Sequence, residues 1–320
     1  MKPMKLAALA ALIAAPAAAE NWDMPMAYPD SNFHSQNGKL FAEKVAACTG
    51  GALTITIHAG GSLFGGADIK RAVQTGQAPI GERLLSAHAN EDPLFGVDSV
   101  PFLATSYEQS DKLWAATKDA IGEALAEQNL VLLYSVPWPP QGFYFKKEVE
   151  NLDDMVGTKF RAYNAATAKL AELTKMLPVQ VEAAELTQAL ATGVAESFIS
   201  SGSTGVDSKV WEQLTHFYDT QAWLPRNTIF ANKDAFEALD EKSRGCLLSA
   251  AAEAQAEGTA TSAALADGYL KTLAENGMKV SAPSEALKAG LTEVGATMAA
   301  DWKAAAGEKG AALLEAYKAQ

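Results

Sequence analysis

The chain has 320 residues, 48% of them hydrophobic, and a formal net charge of −12 at pH 7. This acidic balance disfavours nucleic acid and anionic membrane surfaces as partners, and it requires local geometry to capture any anionic ligand. The length and the hydrophobic fraction suffice for a globular protein of two domains.

The first 19 residues have the features of a cleaved secretory signal. Lys2 and Lys5 give a positive start, residues 6–15 form a short apolar segment, and small residues end at Ala19. The apolar segment is shorter than the roughly 20 residues needed to cross a bilayer. We therefore expect a mature chain that begins at Glu20 and is soluble outside the cytoplasm. Loss of the two lysines changes its net charge from −12 to −14.

The cysteines and histidines give no sign of a metal or cofactor site. Cys48 and Cys246 are far apart in sequence and could form a disulfide in an oxidising compartment. We favour two separate buried thiols, because Cys246 lies among apolar residues. The histidines are scattered, with no zinc-type spacing. We therefore expect no metal and no cofactor.

The N-terminal half alternates strands with helices. Strands are predicted over residues 21–28, 53–58 and 130–136, and helices around residues 41–46, 67–74 and 106–128. The glycine-rich segment Gly60–Gly66 lacks the Gly-Lys-Ser/Thr ending of a phosphate-binding loop, so we interpret it as a turn. The continuous apolar run Leu130–Val136 predicts a strand in the centre of a sheet. This alternation predicts an α/β architecture with largely parallel sheets.

The prolines around Trp138 interrupt this pattern, because proline cannot donate to a sheet ladder. The segment Pro137–Gly142 is therefore predicted to be a crossover or hinge, after which strands and helices alternate again. Residues 200–205 (SSGSTG) are predicted to form a loop. Helix signals then run from Asp240 to Glu275, which is longer than the roughly 25 residues of an ordinary globular helix. We expect this helix to run from one domain to the other.

Arg161 is the leading candidate for a ligand-binding residue. The segment Thr158–Tyr163 follows the helix-breaking Gly157 and alternates as a strand does, so Lys159, Arg161 and Tyr163 share one face. A guanidinium fixed on a strand offers a planar fork of donors suited to one carboxylate, and we expect it to be solvated without ligand. The alternative is an ordinary surface arginine in an ion pair.

Five segments in order along the chain carry a resemblance to one protein family. They are Ala72–Gln77 (AVQTGQ), Ser99–Leu103 (SVPFL), Asp153–Arg161 (DDMVGTKFR), Ala184–Val194 (AELTQALATGV) and Phe230–Lys233 (FANK). Through these segments the mature chain resembles the extracytoplasmic solute-binding proteins of tripartite ATP-independent periplasmic (TRAP) transporters, the DctP-like group.

The resemblance implies an α/β, two-lobed periplasmic binding protein fold, with a cleft between the lobes and a long helix spanning both. The lobes are expected to comprise residues 20–141 plus 228–268 and residues 142–227 plus 269–320. The protein is expected to be a periplasmic monomer, exported by its signal peptide, that captures a small organic acid and delivers it to TRAP membrane permease subunits.

The resemblance also implies which residues hold the ligand. The strand arginine of the family falls on Arg161, and ligand-facing polar positions fall near Ser200, Ser201 and Asn227. Aromatic side chains in the expected cleft suit a small apolar or aromatic acid. The expected ligand-binding residues are Tyr28, Trp138, Gln141, Arg161, Tyr163, Ser200, Ser201, Trp223 and Asn227, with Phe143 as a further aromatic candidate.

Departures from the family pattern narrow the ligand. Many relatives, notably the sialic-acid binders, carry a second arginine upstream of the first, where this chain has Pro140-Gln141-Gly142. Sialic-acid binders also place an aromatic residue where this chain has Ala183-Ala184. The usual acidic residue and glycine after the helix are replaced by Glu196-Ser197. These differences favour a monocarboxylate, such as an aromatic or hydroxy acid, over sialic acid or a dicarboxylate.

Two other functions stay open. A solute receptor of an ATP-driven transporter would share the two-lobed plan, although the surroundings of Arg161 and the long helix argue against it. An exported enzyme would need a nucleophile with a base, paired carboxylates or a metal, and the sequence contains no such set. The sequence therefore predicts a small-acid receptor and not an enzyme.

Overall fold

A computed structural model describes residues 19–319, so the predicted signal peptide lies outside the described residues except for Ala19. Within this range no helix combines the length and the apolar character needed to cross a membrane. The strands are β1 Glu20–Pro25, β2 Leu53–His58, β3 Ile80–Leu84, β4 Leu130–Pro137, β5 Gln141–Phe145, β6 Lys159–Ala162, β7 Leu177–Gln180, β8 Ser197–Ser201, β9 His216–Tyr218, β10 Arg226–Asn232 and β11 Lys279–Ser281. The helices are α1 Phe33–Thr49, α2 Ile69–Gln74, α3 Tyr107–Ala126, α4 Ala165–Leu173, α5 Leu186–Ala191, α6 Gly202–Asp207, α7 Lys233–Ala238, α8 Glu241–Glu275 and α9 Glu285–Lys318.

The strands form sheets in two lobes. In the first lobe β1 pairs with β2, and a three-stranded sheet has the order β3-β10-β4. In the second lobe a six-stranded sheet has the order β11-β9-β5-β8-β6-β7. The largest buried apolar cluster includes Phe41 of α1 and Phe160 of β6, so one core continues through both lobes.

The strands β5 and β10 carry the chain from one lobe to the other, and both run antiparallel to their neighbours. A strand that arrives from the opposite lobe enters its sheet at the cleft, whereas β6, β7 and β8 run parallel to one another and end there. The prediction of largely parallel sheets is therefore wrong for the crossing strands. The carboxyl ends of the parallel strands face the cleft, which is the usual place for a ligand in an open α/β sheet.

The strand β4 lies at the edge of its three-stranded sheet and not at the centre, as its apolar run predicted. The helices α3 and α8 pack against it. These helices, and not strands on both sides, bury its side chains. A continuous apolar run therefore indicated burial correctly but gave the wrong position in the sheet.

The long helix α8 contacts both lobes, as the sequence predicted. Asp240 caps its N terminus by accepting a hydrogen bond from the backbone N–H of Ser243 at 2.7 Å. Gly277, with φ of 93°, follows its C terminus and allows the left-handed turn that ends the helix. Along its length α8 packs against α1 and β4 of the first lobe and against α6 and β11 of the second.

Cys48 and Cys246 form a disulfide, with their Cα atoms 5.6 Å apart. The prediction of two separate buried thiols is therefore wrong. Because α1 packs along α8, the end of α1 lies beside the first turns of α8 across 198 residues of sequence. Cys246 is buried as predicted, but Cys48 is exposed. The disulfide fits an oxidising compartment.

Two further segments, residues 200–205 and the helix α9, differ in detail from the sequence prediction. Residues 200–205, predicted as a loop, form the end of β8 and the start of α6, with Ser201 as the N-cap. The helix α9 is interrupted at Gly307, whose φ is 59°. Beyond this break the Tyr317 hydroxyl donates to the Leu103 carbonyl at 3.0 Å, so the end of α9 packs against the first lobe. The residue boundaries of the two lobes stay a prediction.

Candidate ligand-binding site

A cavity lies between the two lobes. Its walls come from strand ends that meet at the cleft, namely β3 and β4 of the first lobe and β5 to β8 of the second. The lining residues are Tyr28, Arg83, Leu84, Trp138, Gln141, Arg161, Tyr163, Glu182, Ala183, Ser200, Thr204 and Pro225.

Arg161 lies on β6, which pairs with both β7 and β8. Its Nε donates to the Val181 carbonyl at 2.9 Å, and its guanidinium lies over the ring of Tyr163, 5.1 Å from the centroid. Among residues 19–319 neither Nη atom has a hydrogen-bond partner. The strand thus fixes the guanidinium through Nε and leaves two donors for a ligand.

Arg161 is nevertheless deeply buried, with 3% of its surface exposed. The expectation of a solvated cleft arginine is therefore wrong, because the two lobes enclose it. Burial lowers the pKa of the guanidinium, and the nearby Tyr163 and Tyr28 side chains oppose that shift. A cation held in this setting gains more from an anionic ligand than it would in water.

Tyr28 and Trp138 form an aromatic wall of the cavity. Their ring centroids are 4.7 Å apart, and the rings meet edge to face at 66°. Phe33 and His34 pack against the same indole, with centroids 5.3 Å and 4.3 Å away. The wall therefore presents a rigid aromatic surface to whatever occupies the cavity.

A buried polar chain lies behind this wall in the first lobe. The indole N–H of Trp138 donates to the Asn227 amide oxygen at 2.8 Å, and the Asn227 amide nitrogen donates to Glu82 at 2.5 Å. His34 Nδ1 lies 3.6 Å from the same carboxylate. Burial raises the pKa of Glu82 to about 7 and lowers the pKa of His34. Asn227 therefore orients Trp138 from behind and does not line the cavity.

Trp223 and Ser201 also lie behind the lining. The indole N–H of Trp223 donates to the Tyr163 hydroxyl at 3.2 Å, and that hydroxyl donates to the Gln141 side-chain oxygen at 3.4 Å. Ser201 accepts from the backbone N–H of Thr204 at 3.4 Å as it caps α6. These contacts hold lining side chains in position.

The structure brings six of the nine expected residues to the cavity: Tyr28, Trp138, Gln141, Arg161, Tyr163 and Ser200. The other three, Ser201, Trp223 and Asn227, support them from the next layer. Phe143 is 1% exposed and lies in the core, away from the lining. A role of any of these residues in ligand binding stays a prediction.

Arg83 and Glu182 are the main lining residues that the sequence did not suggest. Arg83 lies on β3 and Glu182 follows β7, so the pair bridges the two lobes. Arg83 Nη1 donates to Oε2 of Glu182 at 3.1 Å, and Nη2 donates to Oε1 at 3.0 Å. In the sequence, only the two adjacent charged residues Glu82 and Arg83 within the short segment Ile80–Leu84 could have indicated a functional residue. The structure shows that all five residues of this segment are buried. No group of three or more His, Cys, Asp or Glu suited to a metal lies within residues 19–319.

The profile of one protein family matches most of the chain. It describes the bacterial extracellular solute-binding proteins of family 7 (DctP), and the match covers residues 26–306. The chain belongs to this family. Its members are TRAP solute-binding receptors and not enzymes, which confirms the class that the sequence predicted.

Two solved structures of DctP-type receptors match this chain along its length. A marine-metagenome TRAP solute-binding protein from an unidentified microbe, specific for pyroglutamate and crystallised with co-purified pyroglutamate, is 59% identical. That match covers 95% of this chain and 100% of the other, with a TM-score of 0.94. The Bordetella pertussis extracytoplasmic solute receptor DctP6, which binds pyroglutamic acid, is 48% identical, with coverage of 94% and 100% and a TM-score of 0.93. Both confirm the two-lobed α/β fold.

A more distant relative is the monocarboxylate 2-oxoacid-binding periplasmic protein of Nostoc sp., which is 24% identical over 239 residues. The match covers 73% of this chain and 65% of that protein. The chain thus matches slightly less than two thirds of this relative's length.

Proposed function

We propose that this DctP-family receptor binds pyroglutamate, or a cyclic monocarboxylate of the same size, with the carboxylate on Arg161. The observation that carries the proposal is the guanidinium held by one hydrogen bond from Nε, with both Nη atoms left to the cavity. Two parallel N–H donors match the two oxygens of one carboxylate. The other lining groups supply what the rest of such a ligand needs.

A lactam ring has an apolar body, one N–H donor and one carbonyl acceptor. The Tyr28 and Trp138 rings provide a flat apolar wall for the body. The Ser200 and Thr204 hydroxyls lie 2.9 Å apart at the cavity, and each can donate or accept. Relatives that are 59% and 48% identical bind pyroglutamate, which supports the same ligand class here.

The wider setting of the proposal is transport. We propose that the signal peptide over residues 1–19 exports the protein to the periplasm, where it acts as a monomer and delivers the acid to TRAP permease subunits. The family and its periplasmic relatives support this setting. The 2-oxoacid ligand of the Nostoc relative makes an open-chain 2-oxo monocarboxylate the competing candidate.

Titration calorimetry with the purified mature protein tests the proposal. Protein first freed of ligand by unfolding and refolding should bind pyroglutamate with a micromolar or tighter Kd, about 8 kcal/mol or more of binding free energy. Proline has a five-membered ring and a carboxylate but replaces the neutral lactam N–H and carbonyl with a charged secondary ammonium, so it should bind at least about 100-fold more weakly. Preference for pyruvate over pyroglutamate, or no heat with pyroglutamate, would contradict the proposal.

A further inference from the structure

We infer that Glu182 sets the charge selectivity of the cavity: by occupying Arg83 in an ion pair, it excludes ligands with a second carboxylate. This inference rests on the proposed function, because it concerns the same cavity and takes Arg161 as the carboxylate site. It identifies a determinant of specificity that does not contact the bound carboxylate.

Arg83 and Glu182 form a bidentate ion pair. Both Nη atoms of Arg83 donate to Glu182, at 3.1 Å and 3.0 Å, in the parallel arrangement that guanidinium and carboxylate groups favour. The Arg83 side chain is 5% exposed and that of Glu182 is 28% exposed. Both residues line the cavity, so the pair forms part of its wall.

Gly66 provides an independent sign that the pair has a fixed place. A Cβ atom on this glycine would lie 2.7 Å from Nη1 of Arg83 and 2.8 Å from Oε2 of Glu182, closer than real Cβ contacts. Gly66 ends the glycine-rich segment that the sequence indicated was only a turn. The absence of a side chain at Gly66 therefore leaves the room that the ion pair occupies.

The net charge of the cavity lining suits a ligand with a single carboxylate. Arg83 and Glu182 cancel, so Arg161 is the one lining cation, among the residues that the structure describes, without a carboxylate partner. Glu82, next to Arg83 on β3, does not line the cavity and accepts from Asn227 within the first lobe. A second ligand carboxylate would meet an arginine already occupied and the negative charge of Glu182.

The cavity thus contains a second arginine, although the upstream segment where many relatives carry theirs is Pro140-Gln141-Gly142 in this chain. Its position on β3 differs from the upstream position where other relatives carry theirs. A second arginine by itself would favour dicarboxylates. Glu182 removes that preference, since discrimination can come from repelling the wrong ligand as well as from attracting the right one.

The variant Glu182→Gln tests the inference, because it removes the negative charge and keeps the size of the side chain. Calorimetry should compare pyroglutamate with succinate, glutarate and adipate, so that the length of the dicarboxylate does not decide the outcome. The affinity for at least one dicarboxylate, relative to pyroglutamate, should rise about tenfold or more over wild type, which is the effect of gaining one charged contact. Glu172→Gln, an exposed carboxylate on α4 of the same lobe, is the matched control and should leave the ratio unchanged.

The reciprocal variant Arg83→Gln keeps the inference testable even where Glu182→Gln folds poorly. It leaves an unpaired carboxylate in the wall, so pyroglutamate should bind about tenfold or more weakly by the same estimate. The double variant Arg83→Gln/Glu182→Gln should recover pyroglutamate binding and gain no dicarboxylate binding.

An unchanged dicarboxylate ratio in folded Glu182→Gln, or a gain that persists in the double variant, would overturn the inference. Wild-type binding of pyroglutamate is measured in the same series. The proposed function fails if wild type does not bind, whereas the selectivity inference alone fails if wild type binds and the ratios do not move.

Discussion

Two buried arginines in different regions of the molecule show how similar burial can serve different ends. Arg161 at the cleft is 3% exposed, and Arg226 at the start of β10 in the first lobe is 4% exposed. Each lies over an aromatic ring, Tyr163 for Arg161 and Trp114 for Arg226. Burial and aromatic contact therefore do not distinguish them.

Their hydrogen bonds do distinguish them. The Nη atoms of Arg226 donate to the hydroxyl and carbonyl of Ser110, to Asp111 and to the Ser135 carbonyl, at 3.0 to 3.4 Å. The Nη atoms of Arg161 have no partner within residues 19–319. A buried cation with its terminal donors paired inside the protein stabilises the fold, whereas one with those donors left to a cavity is available to a ligand.

The largest expected effect separates binding from stability at Arg161. Arg161→Ala should weaken pyroglutamate binding by about 3–6 kcal/mol, because two charge-assisted hydrogen bonds are lost. The free energy of unfolding without ligand should fall little, since a buried cation without a counter-ion already carries a desolvation cost. Calorimetry and urea unfolding measure the two quantities. Near wild-type affinity, or a variant that does not fold, would contradict the comparison.

Arg226→Met should give the opposite pattern. This change removes the buried hydrogen bonds to Ser110 and Ser135 and the ion pair with Asp111, so the free energy of unfolding should fall by about 3–5 kcal/mol. Pyroglutamate affinity of the folded variant should stay within about threefold of wild type, because Arg226 itself does not line the cavity. A large loss of affinity with unchanged stability would show that the two arginines do not differ as described.

The disulfide is expected to affect stability but not ligand binding, so it serves as a reference for the comparison of the two arginines. Replacing both Cys48 and Cys246 with alanine should lower the free energy of unfolding by about 2–4 kcal/mol. Without the disulfide the unfolded chain gains conformational entropy, because no cross-link closes a long loop. Neither cysteine lines the cavity, so the affinity for pyroglutamate should not change. Equal urea midpoints for the oxidised and alanine forms would count against this expectation.

The smallest expected effect concerns Glu82, the buried carboxylate that accepts a hydrogen bond from Asn227. Burial raises its pKa from 4.5 to about 7, so the folded state holds a proton that the unfolded state releases above pH 4.5. The contribution of Glu82 to stability should therefore decline as the pH rises from about 4.5 to 7 and then level off. Glu82→Gln should remove this decline and gain about 1–3 kcal/mol over wild type at pH 8. Parallel pH dependences of unfolding for the two proteins would refute this role.

Local patterns in the sequence predicted the elements that depend on neighbours along the chain. The strand Leu53–His58 has the predicted bounds, and the helix predicted from Asp240 to Glu275 spans Glu241–Glu275. Arg161 lies on a strand, as the alternation of Thr158–Tyr163 predicted, and it lines the cavity. In each case residues close in sequence carry the signal.

Features formed by residues far apart in the sequence were not predicted. The Arg83–Glu182 pair joins residues 99 apart in sequence from two lobes, and the disulfide joins residues 198 apart. The strand β3 was not predicted, because both of its faces are buried and its sequence does not alternate between apolar and polar residues. Even Glu82 and Arg83 are buried. These features depend on how the lobes and helices pack, which no local pattern records.

A crystal structure of the receptor with pyroglutamate tests the central claim most directly. The claim predicts both carboxylate oxygens within about 3 Å of the two Nη atoms of Arg161, with the Arg83–Glu182 pair intact. A ligand carboxylate bound to Arg83, or placed away from Arg161, would contradict it.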